Sequence, residues 1–203
     1  MSRMTADRRR EAIVDAALAV ARRKGLASTT VRDVADEMGS SSGLIHHYFA
    51  TMDDVLASAF ERVAADDLRR TTQAVAADAA DGPEAALAAF FRAYAPADAD
   101  WAFQLWLDAW AEAARRPALR ATSQRLNLAW QALVEGIVRG GVKAGRFSCP
   151  DPAAAAWRII SVIDGLALQV VAHETVIARS EMVAWAALAA ERELGLSEGT
   201  LAV

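Results

Sequence analysis

Between Thr30 and Tyr48 the sequence holds two short amphipathic runs parted by a glycine, a pattern that few folds accommodate. Thr30-Val31-Arg32-Asp33 is a hydroxyl-x-x-acid helix start. Val31, Val34, Ala35 and Met38 then recur at helical spacing, and Gly39 terminates the run. Ser40, Ser41 and Ser42 offer N-caps for a second short segment through Tyr48, with Ile45, Tyr48 and Phe49 as its inward residues. Two short helices joined by one glycine turn predict a helix-turn-helix. A longer helix precedes them over Ala6 to Lys24, on Ile13, Ala16, Ala17, Val20 and Ala21, with Gly25 as its stop.

The rest of the chain also reads as helix. Of 203 residues, 49 are alanine, 5 proline and 11 glycine, which favours the best helix former over the two worst. Thr51 with Asp54 starts a long helix on Val55, Leu56, Ala59, Phe60, Val63, Ala64 and Leu68, running to the Asp81-Gly82-Pro83 break. Further helices are expected over Pro83 to Tyr94, Asp100 to Arg116, Ala118 to Ala144, Asp151 to about Val176, and Ser180 to Leu194. The prediction is an all-α chain of nine helices: a helix-turn-helix domain over 1–50, a ligand-binding and dimerisation bundle over 51–195, and a loose C-terminal tail over 196–203.

Residues Thr29 to Val55, TTVRDVADEMGSSSGLIHHYFATMDDV, resemble the helix-turn-helix of the TetR family of bacterial repressors, whose form is TT…IA…G-x-S-x-G-x-[LI]-x-x-[YH]-F-x-x-K-[DE]-x-L. The GLIHHYF run is also similar to the choline-responsive, BetI-like branch of that family. The resemblance implies a dimeric, ligand-responsive repressor that binds a palindromic operator in double-stranded DNA and is released by a small-molecule effector. Two positions depart from the pattern. Met52 stands where the family carries a phosphate-contacting lysine, and His46 stands where it carries tyrosine.

A recognition helix presents its first residues to base edges in the major groove, so small polar side chains belong there. Ser40, Ser41 and Ser42 supply hydroxyls, Gly43 permits close approach, and His46 and His47 reach bases or phosphates. Tyr48 offers a hydroxyl and a packing ring, and Thr30 places a helix N-terminus on phosphate oxygens. Arg8, Arg9 and Arg10, with Arg3 before them, read as a basic arm that tracks phosphates or as solvated charge. Residues 1–50 hold eight basic against six acidic residues, whereas 51–203 hold 14 against 20, so the two parts suit different partners.

All six tryptophans lie after residue 100. Phe103, Trp106 and Trp110 share one stripe of their helix, and Asp108 and Glu112 lie nearly opposite. Phe103, Trp106, Trp110, Trp130, Asp108 and Asp164 are the candidate lining for an apolar, aromatic or cationic effector, with core packing as the plainer reading of each tryptophan. The Asp151–Val176 segment is apolar nearly all round, which suggests a second chain against one side. Trp157, Ile163, Leu166 and Val170, with Trp185 and Leu188 from the last helix, are the candidate dimer contacts of a four-helix interface.

Other classes find less support. An all-helical enzyme would draw its acid-base or metal groups from His46/His47 or His173/Glu174. The chain has no His-Glu-x-x-His, Cys-x-x-Cys, nucleophile elbow or phosphate loop. One cysteine, Cys149, excludes an intramolecular disulfide and a thiolate metal cluster, so no catalytic residue, metal or cofactor is expected. The alternative to a repressor is an activator, or a helical partner-binding protein with altered DNA affinity, for which Met52 is the support. The most apolar stretch, Trp157 to Ala172, carries Arg158 and Asp164, and no signal-peptide pattern opens the sequence. A cytoplasmic protein with no membrane span is the expectation.

Overall fold

The computed structural model describes residues 5–94, 100–173, 177–201 and 203. Among them the chain forms nine α-helices and no strand: α1 Ala6–Lys24, α2 Val31–Glu37, α3 Ser42–Tyr48, α4 Met52–Asp78, α5 Pro83–Tyr94, α6 Asp100–Glu112, α7 Pro117–Lys143, α8 Pro152–His173 and α9 Arg179–Glu193. Two compact units result, one of Met1–Ala65 with Gln104–Leu126, the other of Asp66–Phe103 with Asn127–Val203. The unit holding the helix-turn-helix therefore extends well beyond residue 50.

In the first unit, local chemistry fixes each helix end. Thr5 caps α1 by accepting from the Arg8 amide at 3.3 Å. Gly25, at φ 81, closes α1 in a conformation that an L side chain rarely adopts. Thr30 and Asp33 form the reciprocal capping box that the sequence predicts for α2. Thr51 and Asp54 repeat it for α4, with backbone-to-side-chain bonds of 2.9 and 3.1 Å. Ile13, Ala17, Val34, Ala35, Ile45, Phe49, Val55 and Ala59 make one core that packs α1 to α4 together. Arg8, Arg9 and Arg10 belong to the opening turns of α1 rather than to an arm before it; Arg3 lies outside the described residues.

In the second unit α8 packs on α9, and α5 packs on α9 as well. Ala155, Ala156, Ile159, Ile160, Ile163 and Ala167 turn inward from α8. Arg158 reaches Glu193 of α9 with two bonds, of 2.9 and 2.5 Å. The tail is not loose. Glu191, buried in α9, accepts from the Gly199 amide at 3.0 Å and the Leu201 amide at 2.7 Å, and Leu201 is buried. A carboxylate taken out of water needs such donors, and the tail supplies them.

Two further differences from the sequence reading concern α6 and α8. Helix α6 stops at Glu112, not Arg116, because the next residues turn, with Arg115 N–H on the Glu112 carbonyl at 2.9 Å, ahead of Pro117. Helix α8, at 22 residues with a mean hydropathy of 1.5 over its most apolar window, is long and apolar enough to cross a membrane by length and composition. Its Arg158 and Asp164 are both bonded to neighbouring helices of the same unit, as befits a bundle helix. The expected end near Val176, and Glu174, fall outside the described residues.

Candidate functional site

Helix α3 is held from below and bare above. Ile45 and Phe49 are buried in the head core, and Tyr48 and Leu44 are half-buried. Ser41, Ser42, Gly43, His46 and His47 are all exposed. Spacing explains the division: Ser42 and His46, and Gly43 and His47, are four residues apart and share one face. Ser41 is the N-cap residue without a side-chain cap bond, so its hydroxyl is not spent on the helix start. The His47 and Tyr48 rings meet edge to face, with centroids 4.9 Å apart.

Two sequence candidates are placed differently. The Ser40 hydroxyl oxygen is buried with no hydrogen-bond partner among the described residues, so it faces inward rather than toward a groove. Thr30 is exposed, but its hydroxyl donates to Asp33 at 2.5 Å. Lys24 and the Thr30 hydroxyl and amide hold the Asp33 carboxyl well below the usual carboxylate range. Met52 is half-buried against the head core, which gives the residue a packing role where the family pattern has a cation. Arg10 was not singled out for packing, yet its guanidinium lies 4.6 Å from the centre of the Phe49 ring at the end of α3.

The six candidate effector residues fall into two groups. In the first unit, Trp106 meets Phe60 edge to face at 4.7 Å between centroids and lies tilted against Trp110 at 5.5 Å. Asp108 accepts the Leu26 amide at 2.8 Å and so serves the α1–α2 turn. In the second unit, the buried Trp130 lies against Tyr94 at 5.4 Å and Phe90 at 6.3 Å. Phe103 is buried in that unit too. The Tyr94 hydroxyl donates to the Asp164 carboxylate. Burial pushes the Asp164 carboxyl up from 3.8 to about 6, against the lowering effect of the Tyr94 bond. Burial and the charges of Asp164 and Asp67 raise the Tyr94 phenol well above its ordinary value. Asp67, on α4, is itself raised by burial and pairs with Arg70.

Tyr94, Phe90 and Asp67 thus join Trp130 and Asp164, although none was a sequence candidate. The available signal was the four-residue spacing of Phe90 and Tyr94 on α5, which also describes an ordinary core stripe. A groove of about 500 Å³, lined mainly by apolar atoms, lies between Val75, Pro83, Ala86, Leu133 and Ile137. No group of three or more metal-ligating side chains occurs among the described residues, and His173 is exposed with its Nδ1 on Gln169.

The candidate dimer residues divide by exposure. Trp157 and Trp185 are 41% and 46% exposed, and Leu168 and Val162 are exposed as well. Leu166, Val170 and Leu188 are half-buried. Ile163 is wholly buried within its own chain and belongs to the core, with Ile159, Ile160 and Ala167 of the same helix. A groove of about 470 Å³ runs along Trp157, Ser161, Val162 and Ala189.

A trihelical head that buries one face of a short helix and bares its small, polar face defines a helix-turn-helix DNA-binding protein. The description "bacterial regulatory proteins, tetR family" matches residues 13–59, and "BetI-type transcriptional repressor, C-terminal" matches residues 83–195. The transcriptional regulator BetI of Stenotrophomonas maltophilia is 31% identical over 174 residues, covering 69% of this chain and 85% of that one. A transcriptional regulator from Pseudomonas aeruginosa PAO1 superposes with a TM-score of 0.82 at 24% identity, over 94% of this chain and 92% of that one. One from Saccharomonospora viridis, solved in complex with choline, gives 0.76 at 24% identity, over 87% and 92%. The chain belongs to the TetR family of transcriptional repressors, in its BetI-type branch, and to a class of regulators rather than enzymes.

Proposed function

We propose that the protein acts as a homodimer that places two α3 helices on a palindromic operator and releases it on binding a small cationic effector. The observation that carries the effector class is Asp164, a carboxyl with a raised pKa among Tyr94, Trp130 and Phe90. A desolvated carboxylate is costly alone, and a cation beside aromatic faces removes that cost while gaining cation–π attraction. The Tyr94 hydroxyl bond orients the carboxyl in the meantime.

Exposed Trp157, Leu168 and Val162 on α8 and Trp185 on α9 support self-association through these helices, because large apolar side chains left bare favour burial by a partner. Two copies related by a two-fold axis would bring two heads to two half-sites. The exposure of Ser41, Ser42, Gly43, His46 and His47, with Tyr48 half-buried beside them, supports a reading role for these residues, and Thr30 would meet a flanking phosphate.

The test is anisotropy of a fluorescent duplex, selected by the protein from random DNA and titrated with choline or its uncharged carbon isostere. Choline should lower the affinity and the isostere should not, with Asp164→Asn abolishing the difference. Equal effects of both compounds, or of neither, would refute a cationic effector at this site.

A further inference from the structure

Helix α1 ends at Lys24, and the Gly25 amide still bonds back to the Ala21 carbonyl at 2.8 Å. The next amide, that of Leu26, is beyond the reach of the helix ladder, and Leu26 is fully buried. A buried N–H needs an acceptor, and Asp108 of α6 supplies it: Oδ2 accepts from Leu26 at 2.8 Å, and Oδ1 takes the Gln104 side-chain amide at 3.2 Å. Gly25 is shaped to the same carboxylate, because a Cβ there would sit 3.2 Å from Asp108 Oδ2. The turn closes on itself through the Thr29 hydroxyl, which donates to the Gly25 carbonyl at 2.9 Å, and α2 is capped by the very next residue.

A carboxylate at a helix C-terminus stands against the helix dipole, so general electrostatics does not account for Asp108 there. Arg22, Arg23 and Lys24 stand in the last turn of α1, where Arg23 pairs with Glu37 and Lys24 with Asp33. What the carboxylate adds is direction. A hydrogen bond loses its hold once the atoms part by more than about 0.5–1 Å, so the turn is either held to α6 or released from it. Helix α6 is in turn seated on α4 through Trp106 against Phe60, with centroids 4.7 Å apart.

The geometry points to Asp108 as a positioning residue for DNA reading: it fixes the α1–α2 turn to α6 and thereby sets the attitude of α2 and α3. This replaces the effector-lining role that the sequence suggested for Asp108, and its effect on affinity rests on the DNA-reading role of α3 given above.

Asp108→Asn and Asp108→Leu are near-isosteres, of which the amide keeps an accepting oxygen and the hydrocarbon does not. Two readouts are needed: hydrogen–deuterium exchange of the segment 25–30 in the free protein, and affinity for a duplex selected by the wild-type protein. Asp108→Leu should speed exchange at Leu26 by about tenfold and weaken DNA binding by about fivefold or more, with Asp108→Asn close to wild type in both. Asp108→Ala, which removes the acceptor without adding an apolar branch, should match Asp108→Leu and stands in for it if that variant does not fold. Unchanged exchange at Leu26, or faster exchange with unchanged affinity, would overturn the proposal. Failure of the wild-type protein to select any duplex would count against DNA reading itself, and the exchange result would still decide whether Asp108 holds the turn.

Discussion

Replacing Asp164 with asparagine separates the cost of its charge from the value of its hydrogen bond. Asparagine keeps an oxygen for the Tyr94 hydroxyl and cannot ionise. In the native wild type the carboxyl titrates at about 6 instead of 3.8, because burial penalises the charged form. At about 1.4 kcal/mol for each tenfold change in proton affinity, that rise corresponds to about 3 kcal/mol. The sign follows from linkage. Protonated Asp164 favours the folded state below the unfolded value of 3.8, and the contribution is lost as the pH rises through about 6. Since the carboxyl keeps partial contact with solvent, about 1–3 kcal/mol is the range to look for. Urea denaturation at fixed protein concentration, at about pH 4 and about pH 7.5, is the assay. Asp164→Asn should match the wild type at the lower pH and exceed it by that amount at the higher. Other groups titrate alike in both proteins, so an equal difference at the two pH values would refute the reasoning.

Met52→Lys should tighten DNA binding and steepen the dependence of log K on log salt by about one, as expected for one added phosphate contact. An unchanged slope in a salt titration would remove the start of α4 from the interface. Trp157→Glu and Trp185→Glu place charges on the outward face of α8 and α9, and each should shift sedimentation from dimer to monomer, a loss of about 2–4 kcal/mol for an interface anchor. Gly141→Ala tests the loop after α7: the new Cβ would overlap the ring of Phe147, and the backbone amide of Phe147 bonds to the Gly141 carbonyl at 3.2 Å. Overpacking of about 1–3 kcal/mol should outweigh the helix gain of about 1 kcal/mol, and the melting temperature should fall.

Much of this architecture can be read from helix punctuation. Helix α1 spans Ala6–Lys24 because Gly25 can take φ 81, and α2 begins where the Thr30–Asp33 box places it. The turn after Glu112 is less visible, because Ala113, Ala114, Arg115 and Arg116 are good helix formers and only Pro117 warns of the break. The outward set on α3 follows from spacing, whereas the inward Ser40 hydroxyl depends on how the α2–α3 turn is folded.

Helix α8 shows the limit of periodicity. With apolar residues nearly all round, a wheel gives two stripes and no sense of which meets the core. Packing turns Ile159 and Ile163 inward and leaves Trp157 and Leu168 outside. Glu191 in α9 is buried because the tail supplies it with donors, a pairing that no local pattern marks. The effector candidates fared similarly. A tryptophan stripe on α6 describes Trp106 seated on Phe60 as well as it describes a pocket wall, and pairing Tyr94 with Asp164 requires contact between residues 70 apart in the chain. Asp108 likewise looks like a carboxylate seeking a ligand, and its partner proves to be a backbone amide 82 residues away.

The central claim is that α3 reads DNA, and selection of binding sites from random duplexes by the purified wild-type protein, at low and at physiological salt, tests it most directly. An enriched palindrome is expected, with protection and affinity that fall when Ser42, His46 or His47 is replaced by alanine. Enrichment of no sequence at either salt would contradict it.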